Sequence, residues 1–166
     1  MIPFERKAFW ALAVCFGVLA ACSPSQPSSF RDTSAPISAT TRFNVEDFAG
    51  EWLVAASFGE RRAVSFDVTA SAGSEQLSIS SDAAPEVEGT YRQGVPGQLI
   101  SLTPGQEALV VMWVDDDFET AVIGTVSGSL GLVLDRDGTV PADRAKAVRD
   151  ILDFYGWNVS QLQRTL

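Results

Sequence analysis

From Phe43 onward the chain is a succession of short apolar runs separated by turn-forming residues. The runs are Trp52–Phe58, Ala63–Ala70, Gln76–Ser80, Val87–Arg92, Gln98–Thr103, Ala108–Val114, Thr120–Val126 and Leu130–Arg136. Gly59-Glu60, Ala72-Gly73-Ser74, Asp82 to Pro85, Gly94 to Gly97, Pro104-Gly105, Asp115 to Asp117 and Ser127-Gly128 lie between them, all suited to tight turns. Val64, Phe66, Val68 and Ala70 alternate with Ser65, Asp67 and Thr69, the period of a half-buried strand. Ala108 to Val114 is apolar on both faces, which predicts a strand covered on its outside as well. The pattern changes once. Over Pro141 to Tyr155, Ala145, Val148, Ile151, Leu152 and Tyr155 recur at helical spacing, with Asp143 in the first turn and Gly156 suited to the stop. Eight short strands with short connections, then one helix, predict an all-β fold. It is an eight-stranded up-and-down antiparallel barrel, closed so that no edge is left bare, with the C-terminal helix packed outside.

Two segments precede this domain. Arg6-Lys7 is followed by the uncharged run Ala8 to Ala21, fourteen residues, which is shorter than the ~20 a membrane-spanning helix needs. It has the length of a secretory signal core. The run ends Leu19-Ala20-Ala21-Cys22, which resembles the bacterial lipobox: a branched apolar residue, two small residues, and the cysteine that is acylated and becomes the new N-terminus. The alternative is a short N-terminal membrane helix with an incidental cysteine. Multiple acyl chains on Cys22 would hold the protein stably to a membrane. Ser23 in place of Asp favours the outer membrane over the inner. Ser23 to Arg42 is rich in serine, threonine, proline and alanine without periodicity, and reads as a disordered tether. The expected organisation is therefore 1–21 signal peptide, 22–42 lipidated cysteine and tether, and 43–166 barrel domain, in the cell envelope and facing the periplasm.

Composition narrows the chemistry. A formal charge of −9 and a pI near 4.4 argue against a nucleic-acid partner. Histidine is absent, and the two cysteines, Cys15 and Cys22, both lie at the N-terminus. After processing at most one thiol remains, which leaves no disulfide, no cysteine metal cluster and no usual general base. No Gly-x-Ser-x-Gly is present. Asp115-Asp116-Asp117 reads as a solvated turn. Asp135-Arg136-Asp137-Gly138 fails as a calcium loop, because Val140 and Lys146 stand where glycine and glutamate are needed. These features point away from an enzyme, a metal or a cofactor.

The local motifs resemble those of the lipocalin family, over about Phe43 to Leu166. Phe48-Ala49-Gly50-Glu51-Trp52 is similar to the Gly-x-Trp signature opening the first strand, and Val114 to Glu119, with Asp115 and Phe118, to the second. Leu132-Val133-Leu134-Asp135-Arg136 is similar to the third, in which an arginine ends the last barrel strand. Gly156 to Leu162 resembles the segment after the helix in the bacterial lipoprotein, apolipoprotein-D-like branch. The resemblance implies that Trp52 plugs the closed end of the barrel beneath Arg136. It also implies a small hydrophobic ligand such as a fatty acid or lysophospholipid. The chain departs from the family in a short stretch between Trp52 and Val110, in Leu132 where an aromatic is usual, and in the bulky Trp113.

If Trp52 faces inward, alternation puts Val54, Ala56 and Phe58 on the same side. Phe66, Val68, Tyr91 and Leu132 are the matching ligand-lining candidates on other strands, and Trp113 can face either way. Two functions stay open at this point. One is a lipid-anchored carrier with an open lumen, and the other a filled barrel that presents loops to a protein partner.

Overall fold

A computed structural model describes residues 29–59, 65–70, 73–82 and 84–164; Cys15, Cys22 and the signal segment lie outside the described residues. Nine strands form the sheet: β1 Gly50–Phe58, β2 Ser65–Ala70, β3 Gln76–Ser81, β4 Gly89–Gln93, β5 Gln98–Ser101, β6 Leu109–Val114, β7 Thr120–Thr125, β8 Gly131–Asp135 and β9 Leu162–Arg164. A one-turn helix α1, Val45–Phe48, precedes them, and α2, Ala142–Phe154, lies between β8 and β9. Every pairing is antiparallel. β1 to β8 follow one another round the sheet, and β1 closes the ring by pairing with both β2 and β8. The expected eight-stranded up-and-down barrel with an outer helix is what forms. β9, which pairs with the far half of β1, is additional. Among the described residues no helix is long and apolar enough to cross a membrane.

Strand bounds fall within a residue or two of those expected from alternation, with two differences. The run beginning at Val87 is a 3-10 turn over Pro85–Val87 before β4 starts at Gly89. Proline at the head of that turn supplies no strand hydrogen bond. Residues 63 and 64 of the second run lie outside the described residues.

Two apolar layers hold the molecule. The lumen is filled by Trp52, Val54, Phe66, Val68, Leu77, Ile79, Tyr91, Leu99, Leu109, Ile123, Leu132 and Leu134. The second layer lies outside the barrel, where Val148, Leu152, Tyr155 and Trp157 cover Val110, Met112, Val122 and Val133. This is the cover that the doubly apolar sixth strand required.

The segment read as a tether is ordered from Ser29. Residues 29–42 run along the barrel from the β7–β8 turn, where the Phe30 amide donates to Gly128 O (2.8 Å), to β6, where the Thr40 amide donates to Val111 O (2.8 Å). Phe30 packs on Phe58 in the outer layer. Arg31 is buried, and its guanidinium donates to Tyr155 O at 3.2 Å, Val126 O at 2.7 Å and Ala35 O at 2.5 Å. One of these carbonyls, Tyr155 O, lies at the C-terminal end of α2, where a cation is favoured. Two anchoring side chains in a serine-rich background carry no period. Composition alone therefore read the strap as disordered.

Candidate functional site

The three signature segments meet at one end of the barrel. α1 starts at Asn44, whose Oδ1 accepts from the amides of Glu46 (2.7 Å) and Asp47 (3.3 Å). Its last carbonyl turn carries Phe48 O to the indole N–H of Trp52 (2.8 Å). Arg136 lies over the Trp52 ring, with Cζ 3.7 Å from the centroid. The guanidinium donates to Glu51 O (2.7 Å), Asp47 O (3.0 Å), Ala49 O (3.0 Å) and Phe118 O (3.2 Å). One planar cation thus ties α1, the start of β1 and the β6–β7 turn to the end of β8. Burial lowers the pKa of Arg136, and Glu119 opposes that shift. Gly50 is at φ +107°, and a Cβ there would sit 3.1 Å from Arg136 Nη1.

Asp115 belongs to the same end. Its Oδ1 accepts from the amides of Glu119 (2.8 Å) and Thr120 (2.7 Å), closing the β6–β7 turn in which Phe118 takes φ 55°. Its Oδ2 pairs with Arg144 of α2 at 3.2 Å. Asp116 pairs with Arg42. The aspartate run is a self-capped turn with cationic neighbours, and among the described residues no group of side chains is set to hold a metal ion.

The ligand-lining candidates divide. Val54, Phe66, Val68, Tyr91 and Leu132 face the lumen. Ala56 and Phe58 do not: the β1–β8 register shifts between Val54 and Ala56, and the extra residue inverts the alternation beyond it, so that both turn to the outer layer. Phe58 lies under Trp157, ring centroids 4.8 Å apart. A second irregularity, between Val111 and Trp113 against β7, sets Trp113 outside while Val111 and Val114 point in. Strict alternation cannot foresee either bulge.

No candidate facing the lumen has free surface. Trp52, Val54, Phe66, Val68, Leu77, Ile79, Tyr91, Leu99 and Leu132 are each at most 4 % exposed. An open lumen large enough for a lipid chain would leave substantial accessible surface on its walls, and these side chains have almost none. Ala84 and Val87 of the β3–β4 connection are buried in the same cluster at the far end from Trp52. The Gln106 amide holds that connection, donating to Glu86 O (2.9 Å) and Glu88 O (3.1 Å).

Tyr91 is the polar exception in the lumen. Its hydroxyl donates to Val87 O (2.8 Å), and burial pushes its pKa from 10.0 up to about 12. An unfolded chain ionises this phenol near 10, whereas the folded chain keeps it neutral. Its contribution to stability is therefore complete below pH ~10 and is lost as the pH rises toward ~12. Denaturant midpoints measured between about pH 9 and about pH 12 should fall more steeply in the native chain than in Tyr91→Phe. Equal slopes would remove Tyr91 as the cause.

A cavity does exist, outside the barrel, with an apolar floor. A groove of about 180 Å³ separates the first half of α2 from β1, β8 and the tail. Ala55, Ala56 and Val133 form its floor, Val140, Ala145 and Val148 one wall, and Val159 and Leu162 the other, with Arg149 and Arg164 also lining it. The gap follows from side-chain size: alanine stands at 55, 56 and 145, on both of the surfaces that face one another. The helical stripe through Ala145 and Val148 was legible in the sequence as a cover for the barrel. The hollow beneath it was not, because the bulge that turns Ala56 outward was not.

In whole-fold comparison the chain is similar to lipocalins. The bovine lipocalin allergen Bos d 2 superposes with a TM-score of 0.58 at 11 % identity, over 74 % of this chain and 95 % of that one. The siderocalin Ex-FABP matches with a TM-score of 0.55 at 15 % identity, over 71 % and 93 %. Lobster apocrustacyanin A1 matches with a TM-score of 0.56 at 13 % identity, over 80 % and 89 %. No family model and no curated protein matches the sequence. The fold is that of the lipocalins, with the barrel, outer helix and Trp–Arg latch in place.

Proposed function

We propose that this chain is a lipid-anchored lipocalin of the bacterial envelope, held in the outer membrane through Cys22, that binds a small amphiphile in the groove between α2 and the barrel. The observation that carries this reading is the pairing of a filled lumen with a hollow of about 180 Å³ outside it, apolar along its floor. Small-molecule sites are concave and set an apolar surface beside placed polar groups, and the groove joins an alanine and valine floor to about as much polar surface, with Thr139, Arg149 and Arg164 among its lining. The lipobox-like Leu19 to Cys22 supports the anchor, and the absence of histidine supports binding over catalysis.

The filled lumen also favours a second reading, a barrel that serves only to present its loops to a protein partner. Native mass spectrometry of the protein purified gently from membranes separates the two. The expected result is an adduct of single-chain amphiphile mass, which disappears in Ala145→Trp, where an indole fills the groove, while the circular dichroism spectrum stays unchanged. A bare protein would support the interaction module instead. An adduct that survives Ala145→Trp would move the site elsewhere.

A further inference from the structure

The groove's charge names the class of ligand. The chain carries 21 acidic and 12 basic side chains, yet among the residues lining the groove there are two arginines and no carboxylate. Neither arginine has a partner among the described residues. Arg144 is paired with Asp115, Arg42 with Asp116 and Lys146 with Asp150, and the guanidinium groups of Arg31 and Arg136 are bonded to backbone carbonyls, while Arg92 on β4, away from the groove, shares their lack of a partner among the described residues. Arg149 and Arg164 have no ion pair or side-chain hydrogen bond among the described residues. Arg149 sits one turn beyond Ala145 on α2, and Arg164 stands opposite Ala56 in the β1–β9 pairing. The cations thus approach the apolar floor from two separate elements.

We infer that the groove takes a single-chain amphiphile with an anionic head, its tail on Ala55, Ala56, Val133 and Val148 and its carboxylate or phosphate between Arg149 and Arg164. This rests on the reading of the groove as the ligand site. A guanidinium presents a planar fork of donors that matches either anion, and such charge-assisted bonds are stronger than neutral ones. A neutral alcohol or a zwitterionic choline lipid would gain the apolar contact but leave one or both forks unpaired. On a chain of formal charge −9 the general field repels anions, so a patch that lacks carboxylates is where an anionic head can settle.

The test uses the full chain in phosphatidylcholine nanodiscs and two photoactivatable probes with the same diazirine-bearing tail, a decanoate and the matching decanol. Cross-linked peptides are mapped by mass spectrometry. The decanoate should label residues 138–149 and 159–164, and free decanoate or decyl phosphate should compete while decanol does not. Both competitors succeeding means that the site reads the charge and not one headgroup; decanoate alone restricts the class to carboxylates. Arg149→Gln/Arg164→Gln, a change at two exposed positions, should cut decanoate labelling by about tenfold and leave decanol labelling unchanged. Equal labelling by both probes, or decanoate labelling untouched by the double substitution, overturns the anionic class while leaving the groove as a site. No labelling of the groove by either probe overturns the groove itself.

Discussion

Trp52→Ala is expected to lower the unfolding free energy by about 3–5 kcal/mol, the range for deleting a buried aromatic side chain. Trp52 is 1 % exposed, stacks at 5.2 Å on Phe48, and bonds its indole N–H to Phe48 O. Removing it opens a cavity at the floor of the barrel and deprives the Arg136 guanidinium of the ring it covers. The cation keeps its four carbonyl acceptors, so the loss is one of packing, of the indole bond to Phe48 O and of the cation–π contact, the last worth about 1–2 kcal/mol when shielded. Urea unfolding followed by circular dichroism measures the sum. Trp52→Phe should recover part of it, because a ring remains beneath the guanidinium. A loss below about 1 kcal/mol for Trp52→Ala would mean that the latch does not hold the barrel closed.

The second large effect is expected on the opposite face of the sheet. Gly124 and Gly131 are register partners on β7 and β8, and Trp157 lies flat across the pair. A Cβ on Gly131 would fall 2.5 Å from Trp157 Cζ3 and 2.7 Å from Phe58 Cδ2, and one on Gly124 would fall 2.6 Å from Trp157 Cζ2. No real side chain tolerates such distances. Gly131→Ala must therefore push the indole off the sheet, at a cost of about 1–3 kcal/mol for overpacking. The indole N–H has no acceptor among the described residues, so nothing but packing keeps Trp157 in place. The expected readouts are a lower denaturation midpoint and a red-shifted tryptophan emission. Trp157→Leu should partly rescue Gly131→Ala by vacating the space. Wild-type stability in Gly131→Ala would show that the indole has somewhere else to go.

These two sites differ in how far the sequence discloses them. Trp52 and Arg136 are 84 positions apart but sit in short motifs with a known spatial relation, so the latch was legible before any coordinates. The strands were legible because period-two alternation survives along most of them. Ala56, Phe58 and Trp113 were not, because one inserted residue in a ladder inverts every side chain after it without leaving a local mark. The glycine pair under Trp157 reads in sequence as turn chemistry or weak strand. Its role depends on an indole 26 residues downstream of Gly131. The groove needed all of this at once: an outward Ala56, a helix laid across it, and the tail strand β9 as its second wall.

The ordered strap bears on how the domain would stand at a membrane if Cys22 carries the proposed acyl group. Its first described residue, Ser29, lies beside the turn between β7 and β8, at the end remote from Trp52. With the acyl group proposed at Cys22, seven peptide steps join lipid to barrel, a reach of at most about 25 Å even when fully drawn out. An anchor at that distance would let the domain swivel but not wander. It would turn the Trp52 floor outward to the aqueous space and leave any ligand exchanged with the bilayer only a short distance to travel.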